Sequence, residues 1–163
     1  MSPMFKAFAS FAAVAALSSS AVAQGLVTQK NIPLAMAQTI ANAALAQCES
    51  MGFKVSVAVV DRDGLPIVTI RGDGAGLHTP EGADRKAYTA RTFSRPSAEF
   101  AKRMLDDPGS VGSRQYTRVL ALGGGLPIKS GNEVVGAVGV SGSPGKDDVC
   151  SQAGIDKVAD QLK

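Results

Sequence analysis

Residues 55–71 read VSVAVVDRDGLPIVTIR, and this run decides the fold. Val55 to Asp61 is nearly all apolar and rich in valine over a length that suits a strand, which marks a buried strand. Asp63-Gly64 is a tight-turn signal, and Pro66 to Arg71 returns as a second strand, so the stretch is a β-hairpin. Upstream, Pro33 stands at a first helical position. Leu34, Ala37, Ile40, Ala41, Ala44, Leu45 and Cys48 then recur at helical spacing up to Met51-Gly52, where Gly52 is a natural stop. Downstream, Gly72 to Thr79 (GDGAGLHT) is a glycine-rich loop. Thr79 is expected to cap a helix that opens with Pro80-Glu81 and runs to Phe93. Ala83, Ala87 and Ala90 give that helix a narrow face of small residues, suited to close approach.

The C-terminal half continues in short elements. Ser97 to Leu105 reads as a helix capped by Ser97, and Asp106 to Arg114 as a polar, mobile loop. Arg118 to Leu122 reads as a strand broken by Gly123-Gly124-Gly125, and Leu126 to Lys129 as a short strand. Ser130-Gly131-Asn132 turns the chain into a strand over Glu133 to Ser141. A loop at Gly142 to Gly145 precedes a closing helix over Lys146 to Leu162. The order α-β-β-α-α-β-β-β-α, with hairpins joining most strands, predicts a mostly antiparallel sheet. The fold class is α/β of the α+β type.

The 163 residues suit one domain preceded by an export signal. In residues 1–23, Lys6 supplies a positive charge, Ala7 to Leu17 an apolar run, and Ala21-Val22-Ala23 a small-residue cleavage site. The run is shorter than the roughly 20 residues that span a bilayer. The expectation is a domain over 24–163 in the periplasm or secreted, without a stable membrane anchor. The net charge of +3 falls by one with Lys6, to +2, and no basic stripe accompanies it, so nucleic acid and anionic membrane surfaces are poor partners. Cys48 and Cys150 would persist as a disulfide in an oxidising compartment, or serve as two buried thiols, and both readings stand. No C-x-x-C supports a redox motif.

His78 is the one histidine, placed in the glycine-rich loop just before a helix. A lone imidazole can be a metal or haem ligand, a general base or a surface group. One histidine and two distant cysteines cannot make a zinc site of ordinary spacing, and no nucleophile motif or second histidine supports a hydrolase. No catalytic residue is singled out. The segments Gly72 to Gly76 and Gly123 to Gly125 lack the strand–turn–helix context of nucleotide binding, so tight turns and close backbone packing explain them better. Arg85, Lys86 and Arg91 follow His78 on the same helix. They are either cations at the mouth of a cleft for a carboxylate ligand or a solvated helix face.

Three segments, VAVVDRDGLPIVTIRGDGAGLHTPEGADRKAYTA, LALGGGLPIKSGNEVVGAVGVSGS and KDDVCSQAGID, resemble the GlcG/HbpS family of haem-binding proteins, akin to the C-terminal domain of PduO proteins. The resemblance runs from about Pro33 to Lys163, in the family's order and spacing. It implies a profilin-like fold, a central antiparallel sheet with helices on both faces, in which the first and last helices can bring Cys48 and Cys150 together. It also implies a homo-oligomer and an exported protein that binds, stores or senses haem. His78 is then the first choice for the iron ligand. Tyr88 or Tyr116 would offer a phenolate instead, and Met51 or Met104 a thioether. Arg85, Lys86 and Arg91 would meet the propionates, while Gly123 to Pro127, with Gly124 and Gly125, and Val140 to Ser143 would shape the pocket walls. Some relatives sit beside glycolate or corrinoid pathways, which leaves a binder or enzyme of small organic acids as a second reading. A structural oligomer subunit without a ligand is a third.

Overall fold

The computed structural model describes residues 25–163; the expected signal segment, 1–23, lies outside the described residues. The elements are helix α1 (Leu34–Ser50), strands β1 (Ser56–Val60) and β2 (Pro66–Arg71), helices α2 (Thr79–Phe93) and α3 (Ser97–Asp106), strands β3 (Gly125–Ser130) and β4 (Glu133–Ser141), and helix α4 (Asp147–Asp156). The four strands form one antiparallel sheet in the order β2-β1-β4-β3. This is the α+β architecture that the sequence leads one to expect.

Strand alternation divides the sheet into two faces. Val57, Val59, Val138 and Val140 turn to one side and pack with Ala37, Ile40, Ala41 and Ala44 of α1 and with Val158 near the C-terminus. Val60 and Ala137 turn to the other and meet Ala87 and Ala90 of α2. Helices therefore cover both faces, and the small residues of α2 let it lie almost on the strands. At Gly139 a Cβ would come within 2.1 Å of the Ala83 carbonyl oxygen, so only glycine fits there. Cys48 of α1 and Cys150 of α4 are disulfide-bonded with Cα atoms 5.5 Å apart, which ties together the two helices of one face.

Three expectations are corrected. Arg118–Leu122 is irregular rather than a strand, because side chains of the helices take its backbone groups. Thr89 Oγ1 accepts from Leu120 N (2.8 Å), Arg85 donates to the Val119 carbonyl (3.0 Å), and Ser97 donates to the Leu122 carbonyl (2.7 Å). Residues Pro108–Gln115 form a 3₁₀ helix instead of a loop, opened by the Asp107 carboxylate accepting from Gly109 N. The closing helix stops at Asp156. There the bonding tightens to a three-residue step from Val158 N to the Ile155 carbonyl, and a 3₁₀ turn follows at Ala159–Gln161. The two expected caps also differ. Thr79 and Ser97 are first helical residues whose hydroxyls join neighbouring segments, Thr79 to Ser56 (2.7 Å) and Ser97 to Leu122 and Gly125.

Candidate functional site

Beyond Gly139, where its pairing with β3 ends at Gly125, β4 runs on to Ser141 and leaves an opening at the end of the sheet. One face of α2 fills one side of this opening. His78, Gly82 and Lys86, four residues apart in sequence, stack along that face. Leu120, Leu122 and Gly123, with Pro144 and Asp147 from the turn after β4, complete the lining. The result is a cavity of about 480 Å³, within the size range usual for small-molecule and cofactor sites.

His78 is the N-cap residue of α2, and its side chain is exposed at the rim. Its ring lies over Gly76, where a Cβ would sit 2.9 Å from the ring. Lys86 is the opposite case. It is only 1 % exposed, and its ammonium donates to Asp147 Oδ2 at 2.8 Å and to the Val140 carbonyl at 3.1 Å. Asp147 in turn accepts from the Ser143 amide (2.9 Å) and hydroxyl (2.7 Å). The same Ser143 hydroxyl lies 3.2 Å from Cys48 Sγ. The hydrogen bonds from Ser143 to Asp147 and from Lys86 to Asp147 fix the turn between β4 and α4, and the Ser143 hydroxyl rests against the disulfide.

The remaining candidates fall into other roles. Gly124, at φ +118°, donates to Asp148 and accepts from Val140 N and Ser151. A Cβ on Gly125 would meet the Lys86 carbonyl oxygen at 2.1 Å. Both glycines permit close packing behind the cavity and bring no group of their own to it. Arg85 is half-buried and bridges Glu81 and the Val119 carbonyl, so it holds the leucine wall. Its Nε and that of Arg91 are buried without a partner among the described residues. Met104 packs in a cluster with Phe100 and Val119, and Met51 against the main core.

Tyr88 and Tyr116 line a separate cavity of about 500 Å³ together with Thr92, Arg118 and Val119. The Arg118 guanidinium stacks 4.2 Å from the centre of the Tyr88 ring, makes two bonds to Asp84 and donates to the Gly64 carbonyl. Asp84 and Arg118 were not legible as a pair. They lie 34 residues apart, on a helix and on a segment that reads as a strand.

Among the described residues no group of three or more histidine, cysteine or acidic side chains could hold a metal ion, so the donor set at the rim is a single imidazole. A single imidazole is what a haem iron takes from a protein when the porphyrin supplies the equatorial nitrogens. The cavity adds the apolar surface of Leu120, Leu122 and Pro144, with Lys86 and Asp147 paired to each other, so an imidazole donor and apolar surface for the group are both present.

The comparisons with known proteins agree with this reading of the fold. A family model described as haem degrading protein HbpS-like matches residues 32–156. An uncharacterised 15.0 kDa protein from the dhaT-dhaS intergenic region of Citrobacter freundii is 35 % identical over 115 residues, 68 % of this chain and 80 % of that protein. Among solved structures, a double mutant of Streptomyces reticuli HbpS superposes with a TM-score of 0.76 at 37 % identity, covering 90 % of this chain and 97 % of the other. A PduOC:haem complex superposes with a TM-score of 0.70 at 26 % identity, covering 77 % and 94 %. Among the described residues no helix is long and apolar enough to cross a membrane. A four-stranded antiparallel sheet between two helical layers, matched over most of its length in sequence and in structure, places this chain in the HbpS-like haem-degrading protein family.

Proposed function

We propose that this protein is exported and binds haem in the cavity beneath His78, as a homo-oligomer that holds, senses or hands on the group. The observation that carries the reading is the exposed imidazole lining a cavity of about 480 Å³ that Leu120, Leu122 and Pro144 also line. The PduOC structure, solved with haem, supports it from the side of the fold. In this reading the His78 imidazole would hold the iron, and Leu120, Leu122 and Pro144 would give the group apolar surface in place of water. Bound haem would supply an iron centre with its redox and ligand-binding chemistry. The chain's own part is to orient the group and exclude solvent from one side. Lys86 is 1 % exposed and two of its three N–H donors go to Asp147 and Val140, so its part is to hold the cavity floor.

The cavity that holds Tyr88 and Tyr116 favours a second location for the same ligand, with a phenolate on the iron. A haemin titration followed at the Soret band, on the wild type, His78→Ala and Tyr116→Phe, separates the two. Loss of the wild-type spectrum in His78→Ala alone supports the imidazole site. Loss in Tyr116→Phe alone moves the ligand to the tyrosine cavity. The absence of a saturable shift in the wild type ends the haem reading.

A further inference from the structure

The turn from α2 into α3 and the 3₁₀ helix at Pro108–Gln115 share a small third cavity of about 120 Å³. Its apolar part is Met104 and the stacked pair Phe93 and Phe100, whose ring centres are 4.1 Å apart. Its polar part is two arginines, Arg95 and Arg103, and two serines, Ser110 and Ser113. Among the described residues no acidic side chain lines it. The carboxylates nearest in sequence are engaged elsewhere: Asp106 pairs with Lys102, and Asp107 accepts from Gly109 N. Glu99 stands four residues before Arg103 on α3, the spacing at which Lys102 meets Asp106, yet it makes no ion pair with Arg103 among the described residues.

The donors at this cavity are held but not used. Arg62, Arg85 and Arg118 each meet a carboxylate, whereas Arg95 gives only its Nε–H to the Phe93 carbonyl (3.3 Å) and keeps both terminal NH₂ groups. The Arg103 guanidinium and the Ser113 hydroxyl make no hydrogen bond among the described residues, while Ser110 donates to the Asp107 carbonyl (2.9 Å). Two like charges on one small cavity repel each other, and an anion between them reverses the sign of that interaction. The donors come from three segments: the end of α2, α3 and the 3₁₀ helix. A carboxylate has two oxygens in one plane and is met by a single arginine fork, whereas a tetrahedral oxyanion presents oxygens to several segments at once. The volume is well below that of a cofactor pocket and suits a small inorganic group.

We propose that Arg95, Arg103 and Ser113 form a binding site for one phosphate-like oxyanion, free or as the phosphoryl group of a small ester. The site shares no lining residue with the His78 or the tyrosine cavity, so it stands or falls apart from the haem reading. The test titrates inorganic phosphate into the haem-free protein at constant ionic strength, with chloride as the balancing anion, and follows the amide NMR shifts of Ser110 and Ser113. Phosphate is expected to give saturable shifts, and acetate to bind about tenfold more weakly or worse. Arg103→Gln is expected to weaken phosphate about tenfold, and Ser113→Ala about fivefold. Lys102→Gln removes the same charge one residue away and is expected to change the affinity by less than about twofold. Glycerol 3-phosphate separates the two sources: tighter binding than phosphate assigns the site to an ester, weaker binding to the free ion. No saturable phosphate shift, acetate binding as tightly as phosphate, or equal losses in Lys102→Gln and Arg103→Gln would each overturn the proposal.

Discussion

Residue 86 shows how much of the site rests on single side chains. Lys86 is 1 % exposed and carries its charge into the space between α2 and the turn after β4, where Asp147 meets it at 2.8 Å. Removing one partner of a buried ion pair leaves the other charge uncompensated, at a cost of about 3–5 kcal/mol. Lys86→Ala is therefore expected to lower stability by that order in urea unfolding, while a surface change such as Lys102→Ala moves it little. An unchanged unfolding midpoint in Lys86→Ala would show that the pair does not hold the floor. This pairing was not legible in the sequence, where Lys86 reads with Arg85 as a cation at the mouth of a cleft or on a solvated helix face. Its partner is 61 residues away, and nothing local distinguishes a lysine that turns inward from one that turns to solvent. His78 was legible as a candidate because it is the chain's one histidine and stands at a loop–helix junction.

Among the elements, those with strong internal periodicity were readable and those held by distant side chains were not. The β1–β2 hairpin, α1 and α2 follow from apolar spacing and turn residues alone. The Arg118–Leu122 segment has strand-like composition, but Thr89, Arg85 and Ser97 satisfy its backbone, and no pattern within the segment shows that. Thr89→Val removes the acceptor of the Leu120 amide and is expected to destabilise the protein by about 1–3 kcal/mol. Faster hydrogen exchange at Leu120 should accompany the loss, and unchanged exchange there would mean that the wall is anchored otherwise. The disulfide works at the same scale, joining α1 to α4 across 102 residues of sequence. A closed loop of that length is worth about 4–5 kcal/mol in the chain-entropy model. The Cys48→Ser/Cys150→Ser double variant is expected to melt well below the wild type under non-reducing conditions. Equal melting temperatures would show that helix packing alone carries this face.

Across the whole molecule the two faces of the sheet divide the work. The α1–α4 face holds the larger apolar core and the disulfide, while the α2 face packs through small residues and opens into the His78 cavity at the end of β4. The Ser143–Asp147–Lys86 hydrogen bonds, with the Ser143 hydroxyl against the disulfide, connect them, so the stapled side braces the cavity side. The central claim is that this braced opening holds haem through His78. Its most direct test is a haemin titration of the wild type and His78→Ala, with stoichiometry and the Soret maximum as readouts. The account expects saturation at one haem per site in the wild type, and a shifted maximum with affinity weakened by at least about tenfold in the variant. The same saturable spectrum and affinity in both proteins would contradict it.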